Sequence, residues 1–569
     1  MEMAMRLAVI AIITLCVWPL ASASLLLVVG DVTSTSARVL VDLMRPLNKQ
    51  TDVRVLVRSA VTPSVVDQEL VTRLPKDSTG RPIVVKLDGL APNRHYVVSF
   101  EVTGDEHEEI VRFRTAPVTE DEGVANRVLV ASCDRFVDDR DDDAWLLMAE
   151  DIEAHGDEYF GMAHIGDQVY VDAGTATIPI EEVPSSIRMD EKQLQHHYES
   201  VVSKFRKIYR HTLGRDAAQR VLRVGAHWML PDDHEVINNF NSYFVNKAFG
   251  TSDDINRETE RQRLGRQLHY RAGLQTLYEY QYQLREDMNW ERTDFLTGSL
   301  CDISKAHPLF FDIEIGHLKL FFLDVRFDRS LTLADEDGLR HLVSDEQSKQ
   351  LQQQLTLWGK NQNNSVVVLA GMPLFWHTHL SALIAYKVEK ELYPGHPEHI
   401  LGLTHLYDVF QTALQSPSST LKLLVGGDVH ALAHTRICGY MRGYDSVWRC
   451  VDQLVTSGLT RGSTAIADAK LIPFYLLITR IQPAIAWLQS LVGMPSTPWL
   501  FSADQVYLGR NYGVLEVGPD GAFEWRNSVA LPYDTMGQRI TQAALDLLRP
   551  TVIMALVGAL VLRHTMLGR

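Results

Sequence analysis

Residues 159–170 read YFGMAHIGDQVY: an apolar run that ends in Gly166-Asp167, with Tyr170 shortly after. An uninterrupted apolar run ending in an acid is the mark of a strand buried on both faces. In open α/β sheets such strands deliver their functional groups at the carboxyl end. The pattern recurs in VLVASCD (residues 128–134, with Cys133 and Asp134), in WMLPDDHE (228–235, with Asp232, Asp233, His234 and Glu235) and in LLVGGDVH (423–430, with Asp428 and His430). Further runs, HLKLFFLDV and SVVVLAGMP, alternate with longer charged segments, which predicts an α/β core of layered helices and sheet. So many deliveries of acid, thiol and imidazole in one chain point to a metal centre.

The chain has 569 residues, 46% of them hydrophobic and 22% charged, enough to bury a large core and form more than one domain. Its formal net charge of -16 repels a phosphate backbone, so nucleic acid is not expected as a partner by charge. An anionic substrate would need bound cations to attract it.

Ahead of the core, residues 24–117 carry short alternating runs such as ARVLVDL, TDVRVLVRS and YVVSFEV, separated by turn residues. Leu90 to Tyr96 resembles the tyrosine corner of fibronectin-type sandwiches. An all-β fibronectin/Ig-like sandwich is therefore expected here as a packing module. An acidic linker (118–126) leads to a second unit over 126–530. Charged, helix-periodic segments at about 186–300 read as helical insertions with solvated faces, and a proline-interrupted apolar insertion spans about 470–500.

The termini suggest traffic to a membrane system. Arg6, the apolar run Leu7–Leu20 and Ala21-Ser22-Ala23 have the form of a secretory signal over residues 1–23, with an uncleaved anchor as the alternative. That implies the secretory pathway, with an extracellular product or one anchored with its catalytic domain lumenal or extracellular. At the other end, residues 541–563 read as a candidate transmembrane anchor, through which the chain would associate with a membrane. A docked amphipathic helix is the alternative there. Beyond Cys16 in the leader, Cys438 and Cys450 bracket a hairpin-like segment and suit a disulfide. A Cys133–Cys301 disulfide competes with a metal-bound Cys133. Asn363-Asn364-Ser365 is a glycosylation sequon.

The clusters supply what dinuclear phosphoester chemistry needs: a bridging carboxylate, ligands for each ion and an acid for the leaving oxygen. Gly166-Asp167 suits the bridge. Cys133 and Tyr170, as thiolate and phenolate, favour a highly charged ion such as Fe(III). Asp428 and His430 alternate and can serve two ions, and Asp233 offers a second-site carboxylate. His234 is the candidate general acid, with Glu235 beside it to orient the imidazole.

The succession SCD, GDxxY, DDHEVxNN, GDVH and VDQLVTSG (residues 451–458) resembles the alkaline phosphatase D (PhoD-like) family of metallophosphatases, from about Leu25 to Asn527. The resemblance implies a βαββα-type metallophosphatase core, phosphomonoester or phosphodiester hydrolysis, a metal-bridging hydroxide as nucleophile, and iron with calcium. Carried over by position, Cys133, Asp167, Tyr170 and His430 would bind Fe(III). Asp167, Asp233 and Asp428 would bind Ca(II) or another divalent ion, with Asp232 and Asn238 as further contacts. One departure is Gly371-Met372-Pro373, where the wider superfamily has a histidine; the nearest here are His377 and His379. The apolar insertion makes a lipid phosphodiester a candidate substrate. Two readings compete with the enzyme: a catalytically degenerate cell-surface binding ectodomain, and a redox-active metal protein.

Overall fold

The computed structural model describes residues 25–44, 51–74, 80–103, 108–118, 125–136, 142–156, 158–174, 177–185, 191–249, 259–332, 341–414, 419–440, 448–460, 484, 497, 499–531 and 536–547. The expected leader (1–23) and nearly all of the apolar insertion (470–500) lie outside them.

The first two sheets form a β-sandwich. Strands β1 (Leu25–Val32), β2 (Ser36–Leu43) and β5 (Ile83–Asp88) make one. Strands β3 (Thr51–Ser59), β4 (Gln68–Leu74), β6 (His95–Val102) and β7 (Glu108–Arg114) make the other, in the order β4-β3-β6-β7. Alternate residues such as Val39, Val55, Val98, Phe100 and Val111 fill the space between the two sheets. Tyr96 Oη accepts the Ala91 backbone N–H at 2.8 Å, the bond the tyrosine-corner motif predicts. β1 is apolar throughout because both its faces are covered: Leu25, Leu27 and Val29 join the sandwich core, while Leu26 and Val28 pack against helices of the next unit. Each such fully buried side chain is worth about 1.5–3 kcal/mol, which fastens the sandwich to its neighbour.

Two larger sheets follow. One runs β10-β9-β8-β18-β19, with β8 (Asn126–Ala131), β9 (Tyr159–Ile165) and β10 (Ala226–Leu230) parallel, and β18 (Arg510–Val517) and β19 (Phe523–Leu531) antiparallel. The other runs β11-β12-β13-β14-β16-β15-β17. Within it β12 (Leu318–Leu323), β13 (Ser365–Ala370), β14 (Leu421–Gly426) and β16 (Trp448–Thr456) are parallel. β11 (Phe311–Ile315), β15 (Leu432–Tyr440) and β17 (Trp499–Tyr507) complete it in antiparallel pairings.

Val130 and Ile165 of the first sheet share one core with Val367, Leu369 and Val425 of the second, so the sheets pack face to face. Helices Asp143–Ala154, Glu191–Leu213, Asp216–Leu222 and Glu260–Tyr280 cover the outer face of the first, and Asp345–Trp358 and Ile400–Ala413 that of the second. The architecture is thus mixed α/β with a β-rich start. The helical segments expected to carry only solvated charge are partly internal: Arg206 and Glu279 form a buried two-pronged pair at 2.7 and 2.6 Å.

The expected transmembrane helix is not borne out. Among the described residues no helix is long and apolar enough to cross a membrane. The described part of the 541–563 stretch belongs to helix Met536–Leu547, where Thr541, Gln542 and Leu545 are buried and Gln542 Nε2 donates to Val506 O at 2.7 Å. This face of the helix docks on β17, where Leu545 joins Ala503 and Val506 in one cluster. Residues 548–563 lie outside the described ones.

Candidate metal centre

The carboxyl ends of the parallel strands from both sheets meet at one point. Beyond β8 and β9 the ladder continues for two residues: Cys133 N–H donates to Gly166 O (3.2 Å) and Asp134 N–H to Asp167 O (2.9 Å). Gly427, after β14, sits where the sheets touch. A β-carbon there would lie 2.6 Å from Gly371 O, 2.6 Å from Ile165 O and 2.7 Å from Ser132 Oγ, so only glycine lets the three strand ends close. At Gly166, φ is +97° and a β-carbon would lie 2.6 Å from Asp232 Cβ. Cys133, Asp167, Asp428 and His430 all have positive φ, at 62°, 58°, 66° and 51°. Non-glycine residues in this region cost about 1–3 kcal/mol each and gather at functional sites.

Among the described residues, donor atoms gather within 4.8 Å of one another in three groups: Cys133, Asp167 and His430; Asp167, Asp233 and His234; and Asp167, Asp232, Asp233 and Asp428. Asp167 belongs to all three. Tyr170 Oη stands 3.0 Å from Asp167 Oδ2 and 3.0 Å from His430 Nε2, which joins it to the first group. Cys133 Sγ is 3.4 Å from Asp167 Oδ2 and 3.1 Å from Ser457 Oγ, and Ser457 Oγ also accepts the His430 N–H.

The electrostatics call for a cation. Burial, with Ser132 and Ser457 only partly offsetting it, pushes the Cys133 thiol up to about 11. Burial, then the charge of Cys133 and Asp233, drives Asp167 well above the carboxylate range. Burial and Asp167 raise the Tyr170 phenol well above its ordinary value, and burial and Asp232 raise Asp428 well above the carboxylate range. Burial drops His430 to about 3, so it is a neutral donor. Asp233 Oδ1 and Asp428 Oδ2 are buried without hydrogen-bond partners. Buried anions are tolerable only when paired or bound to a metal. The residues therefore could hold metal at Asp167, between a thiol–phenol–imidazole group on one side and an all-carboxylate group on the other.

The structure sorts the remaining expectations. His234 Nδ1 is bound to Asp172 Oδ1 at 2.6 Å, and its ring stacks on Tyr170 with centroids 4.0 Å apart. Glu235 does not orient it. That carboxylate is buried, accepts the backbone N–H of Gln168 (2.8 Å) and of Asp232 (3.0 Å), and is pushed by burial to about 7. It braces the loops after β9 and β10 by holding both of those N–H groups. Asn238 is exposed and donates its backbone N–H to Asp172, while the Asn239 N–H caps Asp233 Oδ2. Asp134 is held by Arg215 and Thr460, away from the donor groups. His377 packs at a tilt against Tyr393 and belongs to none of the donor groups among the described residues. Cys438 and Cys450 are disulfide-bonded, whereas Cys133 and Cys301 are free.

Asp172, Ser457, Arg326 and Glu391 escaped the sequence reading. Arg326 follows the run HLKLFFLDV, the same signature as the other clusters, and was legible there; Glu391, in a helix-to-loop turn, carries no such signal.

Similarity to known proteins bears on the fold and the family. One solved structure, of PhoD, superposes with a TM-score of 0.57 at 16% identity, covering 90% of each chain, which supports a common fold. Others are far weaker. The sensor domain of an anti-sigma factor from Pseudobacteroides cellulosolvens gives a TM-score of 0.14 at 17% identity over 16% of this chain and 71% of its own. A β-glucuronidase from Bacteroides uniformis gives 0.21 at 9% identity over 89% and 60%. No curated protein matches the sequence. The sequence profile of the PhoD-like phosphatases matches residues 128–469, more than half the chain, and this chain is therefore a member of that family of phosphoester hydrolases.

Proposed function

We propose that the chain hydrolyses phosphoesters at a dinuclear centre in which Cys133, Asp167, Tyr170 and His430 hold Fe(III), and Asp167, Asp233 and Asp428 hold Ca(II) or another divalent ion. The carrying observation is that Asp167 is shared by every donor group. When bound, the ions would supply a nucleophilic water of lowered pKa and neutralise the charge of the phosphoryl group.

The chain's own part is positioning and proton transfer. His234 is the general acid. Its Nδ1 is held by Asp172, which leaves Nε2 to serve the leaving oxygen. Burial lowers its pKa, but Asp233 and Asp172 outweigh that and raise it, so the protonated form persists towards neutral pH. Ser457 steadies the thiol and the His430 backbone together. The proposed catalytic unit spans residues 126–530, and the sandwich over 24–117 serves as its packing module. The Cys438–Cys450 disulfide supports an oxidising compartment, in keeping with the secretory reading of residues 1–23.

Metal analysis of the purified protein, beside hydrolysis of nitrophenyl phosphate and its bis-ester, tests the proposal. Iron and a divalent ion with turnover of either ester are expected, and the ratio of rates ranks monoesterase against diesterase. Cys133→Ser should lose iron while remaining folded. Metal-free, folded, inactive wild type would overturn the proposal in favour of a binding ectodomain.

A further inference from the structure

Arg326 lies against the carboxylate side of the centre and is fully buried, with a relative exposure of 0%. Its Nε and Nη2 grip Asp232 Oδ1 and Oδ2 at 2.5 and 3.0 Å, the two-pronged geometry of the strongest arginine–carboxylate pairs. Nη1 donates to Glu391 Oε1 at 2.9 Å and reaches Phe240 O at 3.4 Å. Nη2 also stands 3.6 Å from Asp233 Oδ1 and 3.9 Å from Asp428 Oδ1. Its backbone is fixed as well: Asp324 accepts the N–H groups of Arg326, Phe327 and Asp328 in the turn that ends β12.

Asp232 is grouped with Asp167, Asp233 and Asp428 by distance, yet both of its oxygens accept from the guanidinium. A metal ion ligated by Asp232 would compete with Arg326 for the same carboxylate charge and weaken a desolvated two-pronged pair, which is costly. Asp233 and Asp428 differ: each keeps a buried oxygen without a hydrogen bond. We propose that Arg326 is a positioning residue that acts as a fixed cation of this cluster, withdrawing Asp232 from the ligand set and leaving Asp167, Asp233 and Asp428 to hold the second ion. The assignment rests on the dinuclear reading above. It gives the cluster's excess negative charge two distinct partners, one covalently built in and one exchangeable.

Calcium binding to the chelator-stripped full-length protein, followed by calorimetry with calcium chloride alone, separates the roles without reference to activity. Asp233→Asn should abolish the calcium isotherm, whereas Asp232→Asn should only weaken it, by about 10–100-fold, the range for an outer partner. Arg326→Met should bind one calcium more than the wild type, because Asp232 and Glu391 are released to a cation. Should that variant fail to fold, the Asp232 and Asp233 variants decide. Loss of calcium by Asp232→Asn as complete as by Asp233→Asn would make Asp232 a ligand and overturn the assignment alone. A folded Arg326→Met with unchanged stoichiometry would also overturn it. Wild type that binds no divalent ion would overturn the dinuclear reading itself.

Discussion

At the scale of single residues, the site turns on who holds whom. His234 is oriented by Asp172, five positions beyond Asp167, and not by its neighbour Glu235. His234→Ala should keep its metal content but lose about 10²–10⁴-fold in rate on alkyl phosphoesters, whose leaving groups need a proton. Nitrophenyl esters, which leave without one, should be much less affected. Asp172→Asn should show the same selectivity in milder form and move the descending limb of the pH–rate profile to lower pH, since Asp172 is one of the charges that raise His234. Equal losses on both ester types, measured by initial rates, would remove His234 from the acid role.

At the scale of elements, parallel strands set the site by ending together. β8, β9 and β10 of one sheet and β13 and β14 of the other converge where Gly427 permits contact. Gly427→Ala should therefore destabilise the fold by about 1–3 kcal/mol through overpacking and reduce metal content, because the backbone on either side carries Asp428 and Ser132. Urea unfolding and metal analysis of the variant check this together; native stability and full occupancy would show that the strand ends tolerate separation. The strands themselves were legible, since runs such as VVVLA and LLVG are apolar on both faces. The partial burial of the helical segments was not. Arg206 and Glu279 are 73 positions apart, and only their meeting turns two surface-like charges into an internal pair.

At the scale of the whole molecule, several histidines are buried as neutral groups. Burial lowers His227, against bonds to Val221 O and Val224 O, from 6.5 to about 4, and likewise His269 to about 4. Their folded pKa lies below the unfolded value, so below pH 6.5 the unfolded chain takes up protons that the folded chain refuses. Their stabilising contribution is complete above pH 6.5 and is lost as pH falls towards 4. The melting temperature should fall across that window, and His227→Gln should flatten the fall; an unchanged slope in the variant would clear His227 of the effect.

The sequence by itself determined the strand cores and the β-rich start, and it nominated Cys133, Asp167, Tyr170, Asp233, Asp428 and His430 as candidate ligands, because apolar runs and the groups that end them are local patterns. Only the tertiary structure decided that Asp232 answers to Arg326, that Asp172 answers to His234, and that the described end of the chain docks on β17 as a short amphipathic helix. Those outcomes depend on which distant side chains a shared, dehydrated space forces together, and periodicity along the chain carries no record of that.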